Sequence, residues 1–180
     1  MINFKNLKPV NNGKAKQIKI VNLRPKTYFG TDAIKQVELK EGRQLSLAER
    51  RVVEEEGFVD GYYKDDKGIE TGGVGQTGKW KTKSFTETFE SHAKDAKRLI
   101  KNFDKLPEDL QAEFIQITYR GDVQQSPNMR KLFNLGKFEE AASELLNNQE
   151  YKKRKAKGDD GVTRRLEALS KSIRAQGGSP

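Results

Sequence analysis

Glu56, Asp65 and Thr71 are the residues of this chain whose types and spacing suggest chemistry. They lie in one stretch, Glu56-Gly57-Phe58-Val59-Asp60-Gly61-Tyr62-Tyr63-Lys64-Asp65-Asp66-Lys67-Gly68-Ile69-Glu70-Thr71-Gly72-Gly73-Val74-Gly75. Cleaving a glycosidic bond takes one carboxyl group to protonate the leaving oxygen and another to activate or steer a water. An acid at the end of a helix and a second on a hairpin can face each other across a cleft.

The flanking sequence supplies both elements. Ser46-Leu47-Ala48-Glu49 fits a capping box, with Ser46 as N-cap and Glu49 reaching back to its amide. The helix so begun points Leu47, Val52 and Val53 inward and stops at Gly57. Glu56 then falls in the last turn, where the helix dipole disfavours a carboxylate and favours its protonated form, which suits a general acid. From Phe58 to about Lys83, glycines, aromatics and β-branched residues predict a small twisted sheet with several turns.

Residues 84–103 carry Phe85, Phe89, Ala93, Ala96, Ile100 and Phe103 at helical spacing, which predicts a helix of about five turns ending before Pro107. Four shorter apolar stripes follow: Leu110, Phe114 and Ile117; Met129, Leu132 and Phe133; Phe138, Ala141, Ala142, Leu145 and Leu146; Val162, Leu166 and Leu169. Gly121, Gly136 and residues 158–161 break between them.

The chain has 180 residues, of which 33% are hydrophobic and 34% charged, so one substantial core is expected, with part of the chain extended or surface-bound. Cysteine is absent, which excludes thiol chemistry and cysteine-bound zinc, and the single histidine, His92, argues against a multi-histidine metal site. No apolar run approaches the roughly 20 residues of a membrane-spanning helix. Of the net charge of +9, residues 1–45 hold ten Lys/Arg against three Asp/Glu, whereas residues 46–180 hold 25 against 23. Residues 1–45 therefore read as a basic arm, with alternating stretches at 17–21 and 34–39 compatible with a strand pair. Such an arm suits nucleic acid, anionic wall polymers or acidic protein surfaces, or serves as a solvated tail. Residues 171–180 are polar and read as a flexible tail.

Other motifs resolve into structure. Gly73-Val74-Gly75-Gln76-Thr77-Gly78-Lys79 matches a phosphate-loop pattern except at its last position, Trp80, and lacks the preceding apolar strand and the following helix. Arg120-Gly121-Asp122 reads as a helix stop, His92 as a solvent-facing or boundary residue, and Trp80 as packing at the sheet edge in preference to stacking on a sugar, either of which suits a cleft. The run Glu54-Glu55-Glu56 would suit a solvated helix face, and Asp65-Asp66 a turn. The ordered set of acid, glycine, two tyrosines, Lys-Asp, glycine, threonine and Gly-x-Gly points beyond those readings.

That set resembles the phage lysozyme family typified by the T-even phage muramidase. Glu56, Gly57, Tyr63, Lys64, Asp65, Gly68, Thr71, Gly73 and Gly75 fall in the family's register without a gap. Downstream, residues 84–103 resemble its lobe-connecting helix, Phe138-Glu139-Glu140-Ala141-Ala142 its aromatic-acid-acid-Ala-Ala segment, and Gly161-Val162-Thr163-Arg164-Arg165 a segment of many phage endolysins. The resemblance implies an α+β, lysozyme-like fold over 46–170, a small β-hairpin lobe and a larger helical lobe joined by a long helix. It implies Glu56 as general acid, Asp65 orienting water or stabilising positive charge, and Thr71 placing that water, with Tyr63 and Arg120 lining the cleft and an inverting outcome.

No cofactor or metal is implied; the partner would be peptidoglycan, with other phage virion proteins met through 1–45, and nucleic acid and membrane insertion are not expected. The enzyme would act on the host wall as a virion component, or from the host cytoplasm after holin-dependent release. A non-catalytic lysozyme-fold protein that binds the wall is the alternative. Gln76 departs from the family, which usually has histidine there, and a difference in packing is expected from it.

Overall fold

The computed structural model describes residues 25–65, 68–158 and 160–178. Among the described residues it is an α+β structure in which eight helices accompany a four-stranded antiparallel sheet. In chain order the elements are β1 (Lys26–Tyr28), α1 (Gly30–Glu41), α2 (Leu47–Glu56), β2 (Phe58–Lys64), β3 (Glu70–Gly73), β4 (Gln76–Thr77), α3 (Phe85–Leu99), α4 (Glu108–Tyr119), α5 (Pro127–Asn134), α6 (Phe138–Leu145), α7 (Gln149–Ala156) and α8 (Asp160–Gln176). Single 3-10 turns lie at Gly78–Trp80 and Phe103–Lys105.

The N-terminal reading needs correction. Residues 34–39, read as alternating strand, belong to α1, because Ala33 and Val37, one helical turn apart, are both buried in the core. The end of α1 is also bonded into the fold. The Glu41 carboxylate accepts from the amides of Phe85 (3.1 Å) and Thr86 (3.3 Å) and from the Thr86 hydroxyl (2.6 Å), satisfying donors that the start of α3 leaves open. Residues 26–41, assigned to an arm on sequence, are thus packed structure, while 1–24, including the stretch 17–21, lie outside the described residues. Those 24 residues hold six Lys/Arg and no Asp/Glu, so the basic charge is concentrated ahead of β1.

α2 begins as its sequence dictates. Ser46 and Glu49 form the capping box, and Arg43 grips the same glutamate with both guanidinium nitrogens. Burial alone would raise the Glu49 carboxyl, but the bonds from Arg43 and Ser46 outweigh it and hold it below its ordinary 4.5. Val52 and Val53 are buried, whereas Leu47, the first residue of α2, is exposed and does not point into the core.

α3 also opens on a capping box, Ser84 with Glu87, but ends at Leu99 after 15 residues. Ile100 turns to an extended conformation, and the Asn134 side chain bonds the chain on both sides of it, at Leu99 O (3.0 Å) and Lys101 N (2.8 Å). The five-turn reading counted Ile100 and Phe103 as helical; both are buried, but from the loop and the 3-10 turn beyond.

α4 packs against α2, α3 and α8, and α6 against α5 and α8. Phe114 of α4 meets Phe133 of α5 edge-on with ring centres 5.0 Å apart, and Phe133 meets Phe138 at 5.2 Å. α8 buries Leu166, Leu169 and Ile173 and runs to Gln176, so the tail expected over 171–180 is helical for most of its length. Among the described residues no helix is long and apolar enough to cross a membrane.

If α1 is part of the cooperative unit, Val37→Ala should lower unfolding free energy by about 2 kcal/mol, from lost apolar contact and the space left behind. A urea midpoint unchanged by the substitution would return α1 to the status of an arm.

Candidate active site

Glu56 ends α2 because Gly57 follows. Gly57 takes φ 72°, and a Cβ there would lie 3.0 Å from the Tyr28 carbonyl and 3.1 Å from the Phe29 ring. The chain therefore turns within one residue from α2 into β2. The Glu56 side chain falls at the negative end of the α2 dipole, a poor place for negative charge. Two guanidinium groups offset this: Arg165 Nη1 of α8 is 2.7 Å from Glu56 Oε1, and Arg120 Nη1, just past α4, is 3.9 Å from the same atom. The neighbouring Glu55 takes Arg164 at 2.7 Å and Arg165 Nε at 3.7 Å. Glu56 therefore sits between the negative end of the α2 dipole and two positive groups.

Asp65, Thr71 and Tyr63 are grouped on the β2–β3 hairpin. Asp65 closes its turn: its amide donates to the Ile69 carbonyl (2.9 Å), and its Oδ1 accepts from the Ile69 amide (2.8 Å). Thr71 is buried on β3, and its hydroxyl donates to the Ile69 carbonyl at 3.3 Å. The register sets Tyr63 opposite Thr71 and Thr71 opposite Thr77, so these three share one face, while Tyr62, Gly72 and Gln76 share the other. Of the residues singled out by sequence, Glu56 and Arg120 are brought into contact, and Asp65, Thr71 and exposed Tyr63 form a second group.

Next to Glu56 opens a pocket of about 230 Å³ between the β4 turn and helices α3 and α4. Gly75 lies between pocket and acid: a Cβ there would be 3.4 Å from Glu56 Oε2. One wall is a row of rings, Trp80 to His92 at 5.3 Å and His92 to Tyr119 at 4.8 Å. Tyr119 donates from its hydroxyl to the Val74 carbonyl at 2.7 Å, tying α4 to the β3–β4 turn. Burial, and after it the negative charge of Glu56, raise the Tyr119 phenol far above its ordinary value. Gln76, buried, points its amide nitrogen at four acceptors: the carbonyls of Trp80 (3.2 Å), Lys83 (2.8 Å) and Ser84 (3.4 Å) and the Thr88 hydroxyl (2.9 Å). The residue that departs from the family pattern holds the loop over 78–84.

The glycine loop is no phosphate cradle, since it runs from β3 through β4 into a single 3-10 turn and not into an α-helix. Arg120 and Asp122 pair with each other at 3.0 Å around Gly121, which takes φ 88° at the end of α4. Among the described residues no group of three His, Asp or Glu side chains could hold a metal ion. Sequence reasoning left Arg165, Tyr119 and the ring wall unassigned. The only signal for Arg165 was the segment at 161–165, and nothing local ties it to a residue 109 positions earlier. Comparison with models of known families finds none that matches the chain, and comparison with curated proteins finds no significant match.

Two measurements check this geometry. Arg165, with a side chain only 10% exposed, should cost roughly 2 kcal/mol of stability as Arg165→Gln, because Glu56 loses its nearest cation and Glu55 its second one; adjacent Arg164, 64% exposed, should cost less than about 1 kcal/mol as Arg164→Gln. Equal losses in denaturant would contradict the arrangement. His92 is pushed below its ordinary 6.5 by burial, with Asp95 opposing and Lys79 adding to the shift. The unfolded chain then takes the proton more readily, so stability should be level above pH 6.5 and fall as pH drops towards the folded value. His92→Gln should remove that slope.

Proposed function

We propose that this chain is a peptidoglycan muramidase of lysozyme-like fold, cleaving the β-1,4 bond between N-acetylmuramic acid and N-acetylglucosamine. One observation carries the reading: Glu56, the acid in the family-like register, ends a helix beside an open pocket and is anchored by Arg165 from a distant helix. Arg165 anchors the side chain beside the pocket; once Glu56 gives up this pairing and takes up a proton, it can deliver that proton to a glycosidic oxygen, the role of the general acid. Asp65 orients the attacking water or stabilises positive charge at the anomeric carbon, and Thr71 places that water. Tyr63, on the face of Thr71, and Arg120, beside Glu56, line the path of the glycan.

The six basic residues ahead of β1 favour a virion component docked on an acidic partner over an enzyme that acts alone after holin release. The alternative is a lysozyme-fold protein that binds the wall without cutting it.

Release of reducing ends from purified peptidoglycan separates the two. The wild type should release them, and Glu56→Gln should be slower by at least about a hundredfold, the usual contribution of general acid catalysis. Glu54→Gln, on the exposed side of α2, should keep wild-type activity. An inert wild type, or a Glu56→Gln protein at full rate, would overturn the proposal.

A further inference from the structure

We infer that the outward side of α7 is a docking surface for the phosphate backbone of duplex DNA. The inference is independent of the glycosidase reading, whose family resemblance implies no nucleic acid. α7 has no buried residue, so core packing does not account for its side chains. One side of it is fixed on α8. Tyr151 donates to Glu167 Oε1 at 2.7 Å, and Lys155, one turn later, reaches the same oxygen at 2.7 Å.

Two further residues along a helix turn through about 200°. Lys153 and Lys157, each two positions beyond one of that pair, therefore stand on the side away from α8. Lys157 closes α7 and keeps a right-handed helical conformation. Both lysines are exposed, and among the described residues neither makes an ion pair. Lys152 beside them bonds the neutral Asn147 side chain at 2.7 Å and keeps its charge, whereas Arg154 is matched by Glu150 at 2.6 Å. Like charges four residues apart on a helix repel each other. The negative end of the α7 dipole makes cations tolerable there, but it does not neutralise them. An outside anion would.

The side chains also select the class of anion. The exposed residues of α7 are Gln149, Glu150, Lys152, Lys153, Lys155 and Ala156, with Lys157 after them, so the surface has no apolar centre of the kind a protein partner buries. Its uncompensated cations are all lysines, point charges that suit phosphate; arginine is the residue that forks onto a carboxylate. Lys153 and Lys157 are held about 6 Å apart along a rigid helix. A stiff duplex presents one phosphate for roughly every 1.7 Å of its axis, so both amines find a phosphate together. A basic stripe along one helix of a chain with net charge +9 is the electrostatic footprint of a nucleic-acid partner.

The test sets this ridge against the charge of the whole chain. Binding of the full chain to a short labelled duplex is followed by fluorescence anisotropy over a series of sodium chloride concentrations. Lys153→Gln/Lys157→Gln is compared with Lys94→Gln/Lys131→Gln, which removes the same charge from exposed positions on α3 and α5. The wild type should bind saturably and more weakly as salt rises. The α7 pair should bind at least about tenfold more weakly, with a salt slope shallower by about 1.8 for two lost phosphate contacts. The α3/α5 pair should stay close to the wild type, and so should Lys153→Arg/Lys157→Arg, which keeps the charge. Equal losses in the two glutamine pairs would show attraction to net charge alone and overturn the inference. So would the absence of binding by the wild type, or loss of binding in the arginine pair. Polyglutamate and anionic phospholipid vesicles, matched to the duplex in charge, should compete poorly; competition equal to unlabelled duplex would also overturn it.

Discussion

A carboxylate at the C-terminal end of a helix meets the negative end of the helix dipole, and nearby positive charge offsets that cost. Arg165 supplies it to Glu56 from across the fold, at 2.7 Å, with a side chain that is itself largely buried. α8 must therefore lie alongside the end of α2, and it reaches that place by packing Leu166, Leu169 and Ile173 into the core shared with α4 and α6. Gly57 then turns the chain straight into β2, so the place of the acid also fixes where the sheet begins. This pair of charges thus joins α8 to the end of α2, where the sheet begins.

The pocket beside Glu56 is held by a similar economy. Tyr119 and Gln76 spend their polar atoms on backbone carbonyls of the turns around it, with Gln76 also reaching the Thr88 hydroxyl. Trp80, His92 and Tyr119 form one wall of the opening, with Thr77, Thr88 and Arg120 beside them.

Local signals in the sequence were legible where a motif completes itself within a few residues. The capping box at Ser46, the stop at Gly57 and the glycine-rich sheet are of this kind. α1 was not legible, because it buries only Ala33 and Val37 and gains its place from Glu41 bonding the start of α3. α7 carries no buried residue; Asn148 caps it, and Tyr151 bonds Glu167 of α8, neither of which leaves a hydrophobic pattern. The candidate site divides the same way. Glu56, Asp65 and Thr71 stand out by spacing, whereas Arg165, Tyr119 and His92 become neighbours only once the helices have packed.

Gln76 has one more consequence. Where the family resemblance expects an imidazole, this chain tethers its loop with a carboxamide that does not titrate in the range where proteins function. An imidazole there would gain a proton on acidification and change which bonds it makes; the amide makes the same bonds at either pH. The wall of the pocket over 78–84 is thus fastened by a contact insensitive to acidity, and the acid response of this region is left to the carboxylates and to His92.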